Sequence, residues 1–129
     1  MKAFSICALA VLVCTASLFA AKHPYREARG SLDKAHSLVE QRNAGVKGAD
    51  VDAILKAVIW AETHLNDGKN NRGSTIPVAL KAVTNAKEEL EAAKSGKEGQ
   101  DAHVQKADGY IQEALKHVNE ALRQHPAKS

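Results

Sequence analysis

Six histidines, His23, His36, His64, His103, His117 and His125, are the side chains in this 129-residue chain best suited to chemistry. Imidazole ligates borderline divalent metals such as Cu(II), Ni(II) and Zn(II), alone or mixed with carboxylate. Two imidazoles three or four residues apart on a helix share a face and chelate well. No two histidines here have that spacing. His103 and His117 lie fourteen residues apart with Tyr110 midway, which places all three on one stripe of a helix. At 1.5 Å per residue about 21 Å separates the two rings, too far for one ion. Carboxylates stand closer. His36 and Glu40, like Glu113 and His117, are four apart, and His117 and Glu120 are three apart. Such pairs are either helix-surface contacts, each contributing about 0.2–0.5 kcal/mol, or the start of a mixed imidazole–carboxylate metal site. Trp60 and His64 are also four apart, and there we expect an edge contact between rings rather than ligation. The tandem Glu88–Glu89 precedes no histidine and reads as a solvated face, and the paired Glu-x-x-His motifs of a di-iron bundle are absent.

The sharpest chelate in the sequence depends on processing. Lys2 is followed by the apolar run AFSICALAVLVCTASLFAA and then by the polar KHPYREARG. A basic start, an apolar middle and small residues at the end read as a secretory signal peptide over residues 1–20. Cutting after Ala20 puts Leu18 and Ala20 in the small-residue positions. Cutting after Ala21 would put the bulky Phe19 there, so Ala20 is favoured. The new terminus is then Ala21-Lys22-His23. Its free amine, two amide nitrogens and third-position imidazole form a four-nitrogen plane suited to Cu(II) or Ni(II). Cleavage one residue later abolishes it.

Removal of this segment takes Cys7, Cys14, the only methionine and both phenylalanines. The mature chain, residues 21–129, has no thiol for a disulfide, a thiolate site or a covalent haem attachment, and no methionine for an axial ligand. Without Lys2, 17 of the 18 basic residues remain against 15 acidic ones, about +2 with histidines neutral, and the two signs are interspersed. Solvated helix faces fit that pattern; a nucleic-acid footprint does not. Catalysis finds no support, since neither a Gly-rich loop nor a Ser-His-Asp grouping can be read. The expected compartment is periplasmic or secreted, with no membrane attachment after cleavage.

The elements that must position the histidines are helices. Apolar residues step by alternating threes and fours: Tyr25, Ala28, Leu32, Ala35, Val39; Val51, Ile54, Val58, Ala61, Leu65; Ile76, Ala79, Val83, Ala86, Leu90, Ala93; and Val104, Ala107, Ile111, Ala114, Val118, Ala121. This is the seam of packed helices. Gly45 and Gly48 interrupt the first two segments, Asp50 can cap the second, Ser74 or Thr75 with Pro77 starts the third, Gly96 ends it, and Asp101 can cap the fourth. The expectation is an all-α, up-down-up-down antiparallel four-helix bundle with helices at about 24–43, 50–66, 75–95 and 101–125. Gly30 and Gly109 fall inside helices, as close-packing or bending points.

A unit recurs: ILKAV at 54–58, ALKAV at 79–83 and ALKHV at 114–118. With its export signal, alanine-rich helices and segments such as ALKHVNEALRQH and LEAAKSGKEG, the chain resembles the periplasmic small metal-binding protein family, best over residues 51–125. That resemblance implies a four-helix bundle whose repeat histidines bind copper, nickel or zinc. It marks His117 in ALKHV, His64 in AETHLNDG and His36 in DKAHSLVE as repeat histidines. Ala57 and Ala82 stand where His117 does, and the third helix has no histidine, so fewer sites are implied than the family carries. The expected function is binding of divalent ions for buffering or scavenging, through His23, His36, His64, His103 and His117 with Glu113 and Glu120. The other reading is a non-metal structural or partner-binding bundle, prompted by Trp60 and Tyr110.

Overall fold

The computed structural model describes residues 24–68, 75–96 and 99–124. They form four helices and, among the described residues, no strand: α1 Pro24–Asn43, α2 Val51–Gly68, α3 Thr75–Ser95 and α4 Gln100–Gln124. The signal segment, the Ala21-Lys22-His23 chelate and His125 lie outside the described residues.

Every residue of the four predicted seams is buried. Leu55, Ala57 and Ala82 join them, while Leu38, Leu80, Tyr110, Leu115 and Leu122 pack partly buried around the edge. The core is one cluster drawn from all four helices. Each helix packs on two others in the cyclic order α1–α2–α3–α4, with α4 closing back onto α1. Polar pairs across the seams run in opposite chain directions. Asp52 meets Lys94 and Glu62 meets Lys87 between α2 and α3. Arg42 meets Asp101, and His36 meets Asp108, between α1 and α4. The three copies of the repeated unit share one register: Ile54, Ala79 and Ala114 are buried, as are Val58, Val83 and Val118, whereas Lys56, Lys81 and Lys116 face solvent.

The ends of the helices follow from local chemistry. At the end of α1 the Val46 amide donates to Gln41 O (2.9 Å) and the Gly45 amide to Arg42 O (3.0 Å), with Gly45 at φ +81°. A left-handed glycine closing a helix in this way satisfies carbonyls that the next turn would otherwise serve. Asp50 caps α2 as expected, its Oδ1 accepting from the Ala53 amide at 3.0 Å. The last carbonyls of α3 are met by the Gly96 amide on Ala92 O and by the Gln100 side chain on Ala93 O. Asp101 does not cap α4. The helix starts one residue earlier, with the His103 amide donating to Gly99 O, and Asp101 turns its carboxylate to Arg42 instead.

Gly30 and Gly109 are exposed, and a Cβ added at either would have no neighbour within 4 Å. They are therefore not close-packing points. Each retains a glycine's conformational freedom in the unfolded chain without a contact in return, so Gly30→Ala and Gly109→Ala should each stabilise by about 1 kcal/mol, raising the melting temperature by about 4–8 °C. Gly45→Ala, forced to φ +81°, should lower it. Thermal melts by circular dichroism decide, and an unchanged or lowered midpoint for the two helical glycines would contradict this account.

Candidate functional site

The best-built polar arrangement lies between α1 and α4. Asp108 is the one buried charged residue among the described residues, at 9% exposure. It sits one position after the seam residue Ala107 and one turn before Gln112, and the packing of α4 turns it toward α1. There His36 Nδ1 meets its Oδ1 at 2.7 Å, while the Gln112 amide donates to its Oδ2 at 2.8 Å. A carboxylate taken out of water needs such donors. The His36 ring therefore has a fixed orientation, and its other nitrogen, Nε2, stands 3.5 Å from Glu40 Oε2. The hydrogen bond to Asp108 raises the His36 pKa above 6.5. The charges of Asp108, Glu40 and Asp33 add to this, and partial burial opposes it.

The expected stripe of α4 is present, with His103, Tyr110 and His117 each partly buried on one face. Against α3, His103 Nδ1 meets Glu89 Oε1 at 2.7 Å. Glu89, read from the sequence as part of a solvated face, is thus half-buried and paired, because the register of α3 on α4 brings it opposite His103. Two turns beyond Tyr110, His117 has Nδ1 buried and without a hydrogen-bond partner. Its nearest carboxylate is Glu120, at 3.6 Å. Glu113, the other expected partner, is exposed and makes no ion pair with His117. Tyr110 packs on the core and does not extend an exposed aromatic stripe with Trp60. His64 lies on Trp60 with ring centroids 5.4 Å apart and planes 20° apart, a stacked contact rather than the expected edge contact.

The four described histidines do not converge. His36 faces α1's neighbour α4, His103 and His117 lie on the α3 side of α4, and His64 rests on an indole. Among the described residues no group of three or more His, Cys, Asp or Glu side chains could hold a metal ion. What the bundle offers is two-donor pairs. Bond lengths near 2.0–2.1 Å place two ligands of a tetrahedral zinc ion about 3.4 Å apart. The His36–Glu40 and His117–Glu120 separations, 3.5 and 3.6 Å, match that spacing and exceed a good hydrogen bond. At 2.7 Å, His103 and Glu89 are instead hydrogen-bonded to each other. Asp108, Gln112 and Glu89 were not legible as partners in the sequence; the only local signal was the four-residue step from Asp108 to Gln112. Among the described residues no helix is long and apolar enough to cross a membrane. No family model, curated protein or solved structure matches the chain.

The His36–Asp108 contact makes a pH prediction. A histidine whose folded pKa is raised stabilises the fold fully below its unfolded value of 6.5, and that contribution is lost as pH rises through the folded pKa. Urea midpoints should therefore decrease as pH rises above 6.5 and through the raised pKa of His36, and His36→Gln should flatten that part of the profile. Asp108→Ala, which strands both His36 and Gln112, should cost about 1–3 kcal/mol at neutral pH. A His36→Gln profile parallel to that of the unaltered protein would show that the contact contributes nothing.

Proposed function

We propose that this chain is an exported, up-down-up-down antiparallel helical bundle that holds divalent transition-metal ions loosely, for buffering or scavenging, at separate imidazole–carboxylate pairs. The observation that carries the reading is the His36 arrangement. A buried carboxylate grips Nδ1 and leaves Nε2 directed at Glu40 at a ligand-like separation. Metal-ligating histidines are commonly held in this way, their second nitrogen bonded to a carboxylate that fixes tautomer and orientation. His117 and Glu120 supply a second pair, and the buried, unpartnered Nδ1 of His117 is a ring nitrogen that an ion could satisfy. Each pair gives two donors, so water completes the coordination and exchange is fast. The antiparallel arrangement is supported by the opposed order of the cross-helix pairs, and the export reading by the apolar N-terminal segment. The resemblance to the periplasmic small metal-binding protein family supports the choice of ions, copper, nickel or zinc. If the chain is cut after Ala20, Ala21-Lys22-His23 adds a Cu(II) or Ni(II) chelate. The protein is not an enzyme in this reading. A structural or partner-binding role is the second reading, favoured by the exposure of Trp60.

Protons compete with the metal ion for His36, so binding there should weaken as pH falls through its raised pKa. Titration of the processed protein with Zn(II) should saturate, His36→Gln and His117→Gln each removing one site. Asp108→Ala should weaken the His36 site by about 10–100-fold. Nitrogen-15 shifts of the imidazoles should report Nε2 at His36 and Nδ1 at His117. No saturable binding, or a stoichiometry unmoved by both substitutions, would sink the proposal. The intact mass of the exported protein settles the terminal chelate, which requires a chain beginning at Ala21.

A further inference from the structure

Two buried side-chain polar atoms among the described residues have no hydrogen-bond partner: Nδ1 of His117 and Oγ1 of Thr75. They belong to different helices, and the register of α3 on α4 brings them to one height. The Gln100 side chain reaches Ala93 O and His103 reaches Glu89, so partners in α3 recede as α4 advances. Back along α3 from Glu89, Ala82 and Thr75 follow at steps of seven; forward along α4 from His103, Tyr110 and His117 do the same. A step of seven returns a side chain to nearly the same face of a helix. Glu89 opposite His103 therefore sets Ala82 opposite Tyr110 and Thr75 opposite His117.

The two ends of this stripe differ. At one, imidazole and carboxylate close on each other at 2.7 Å. At the other, threonine carries its oxygen on Cβ, two carbons nearer the backbone than the glutamate oxygens, and the hydroxyl stops short of the ring. Thr75 does not spend that hydroxyl on capping α3 either. Enclosed polar atoms without partners weaken a fold, and two that face each other are both answered by a single bound group.

Glu120 Oε1 stands 3.6 Å from the same Nδ1. An imidazole, a carboxylate and a hydroxyl thus meet where the start of α3 packs on the end of α4. Nitrogen and carboxylate oxygen are ligands for a divalent ion, and a neutral hydroxyl is a poor one. Water on such an ion is a strong hydrogen-bond donor, because the ion's charge acidifies it. We propose that Thr75 is a positioning residue at the His117 site: its hydroxyl accepts a hydrogen bond from a water carried by a divalent ion on His117 Nδ1 and Glu120. The ion then ties α3 to α4. This inference rests on the reading of His117 and Glu120 as a metal pair.

Nitrogen-15 spectra of the full processed chain, titrated with Zn(II), follow each imidazole separately, so affinity at His117 is read apart from that at His36. Thr75→Val, which keeps the shape and removes the hydroxyl, should weaken binding at His117 about tenfold or more, the loss typical of an outer-shell partner. Binding at His36 should not change, and Thr75→Ser should restore the affinity at His117. In the metal-free protein Thr75→Val should melt at or above the unaltered chain, because a methyl group replaces an unpaired buried hydroxyl. Zinc should raise the melting temperature of the unaltered chain more than that of Thr75→Val. Binding at His117 that Thr75→Val leaves intact would overturn the role of Thr75 and leave the metal pair standing. A His117 ring that does not respond to zinc would overturn the pair and this inference with it. A lowered metal-free melting temperature for Thr75→Val would show a hydroxyl already partnered within the protein, and would likewise reject the proposal.

Discussion

The burial of one carboxylate organises the polar chemistry of this bundle. Asp108 cannot sit at a helix seam unless donors reach it, and the two that do come from different places: Gln112 from its own helix and His36 from α1. Removing a charge from water costs far more than a single neutral hydrogen bond returns, so the packing of α1 on α4 and the orientation of His36 depend on one another. Further along the same seam, Arg42 reaches Asp101 and Gln100, and Asn43 accepts from Gln105. Together with Asp108 and Gln112 these residues of α4 form a line at helical spacing on the face turned to α1. The apolar seam brings the helices together, and this polar line fixes which pair of helices lies side by side and at what register.

Alanine makes that arrangement possible. Ala28, Ala35, Ala79, Ala86, Ala107 and Ala114 are fully buried. A seam of small residues lets backbones approach closely and brings side chains at the margin of one helix within reach of the next. The half-buried Glu62, which takes both the Lys87 ammonium at 2.9 Å and the Thr84 hydroxyl at 3.3 Å, is the counterpart between α2 and α3. Glu62 raises the Lys87 pKa by that hydrogen bond, with burial opposing.

The helices were legible in the sequence to within two residues at each end, because a seam of threes and fours is a property of a single segment and needs no knowledge of its neighbours. Contacts within one segment were legible for the same reason, as His36 with Glu40 and His117 with Glu120 show. Contacts between segments were not. His103 meets Glu89, and His36 meets Asp108, only because of the order of the helices around the core and their relative heights, neither of which is encoded in any local spacing. Glu113 shows the limit within a segment too. It and Glu120 both lie within helical reach of His117, yet only Glu120 comes within 3.6 Å of the ring, a choice that spacing alone does not make.

The shared register of ILKAV, ALKAV and ALKHV has a consequence for how many imidazoles such a bundle can carry. Ala57 and Ala82 are almost wholly enclosed, at 5% and 3% exposure, whereas the ring at position 117 spreads to the margin and leaves one nitrogen enclosed without a partner. A methyl group at that register fills space, while an imidazole introduces a polar atom that must be answered. Imidazole content and an apolar seam therefore compete at the same coordinate of the repeat. The alanines at that coordinate in α2 and α3 keep the core apolar there, with no buried polar atom to satisfy.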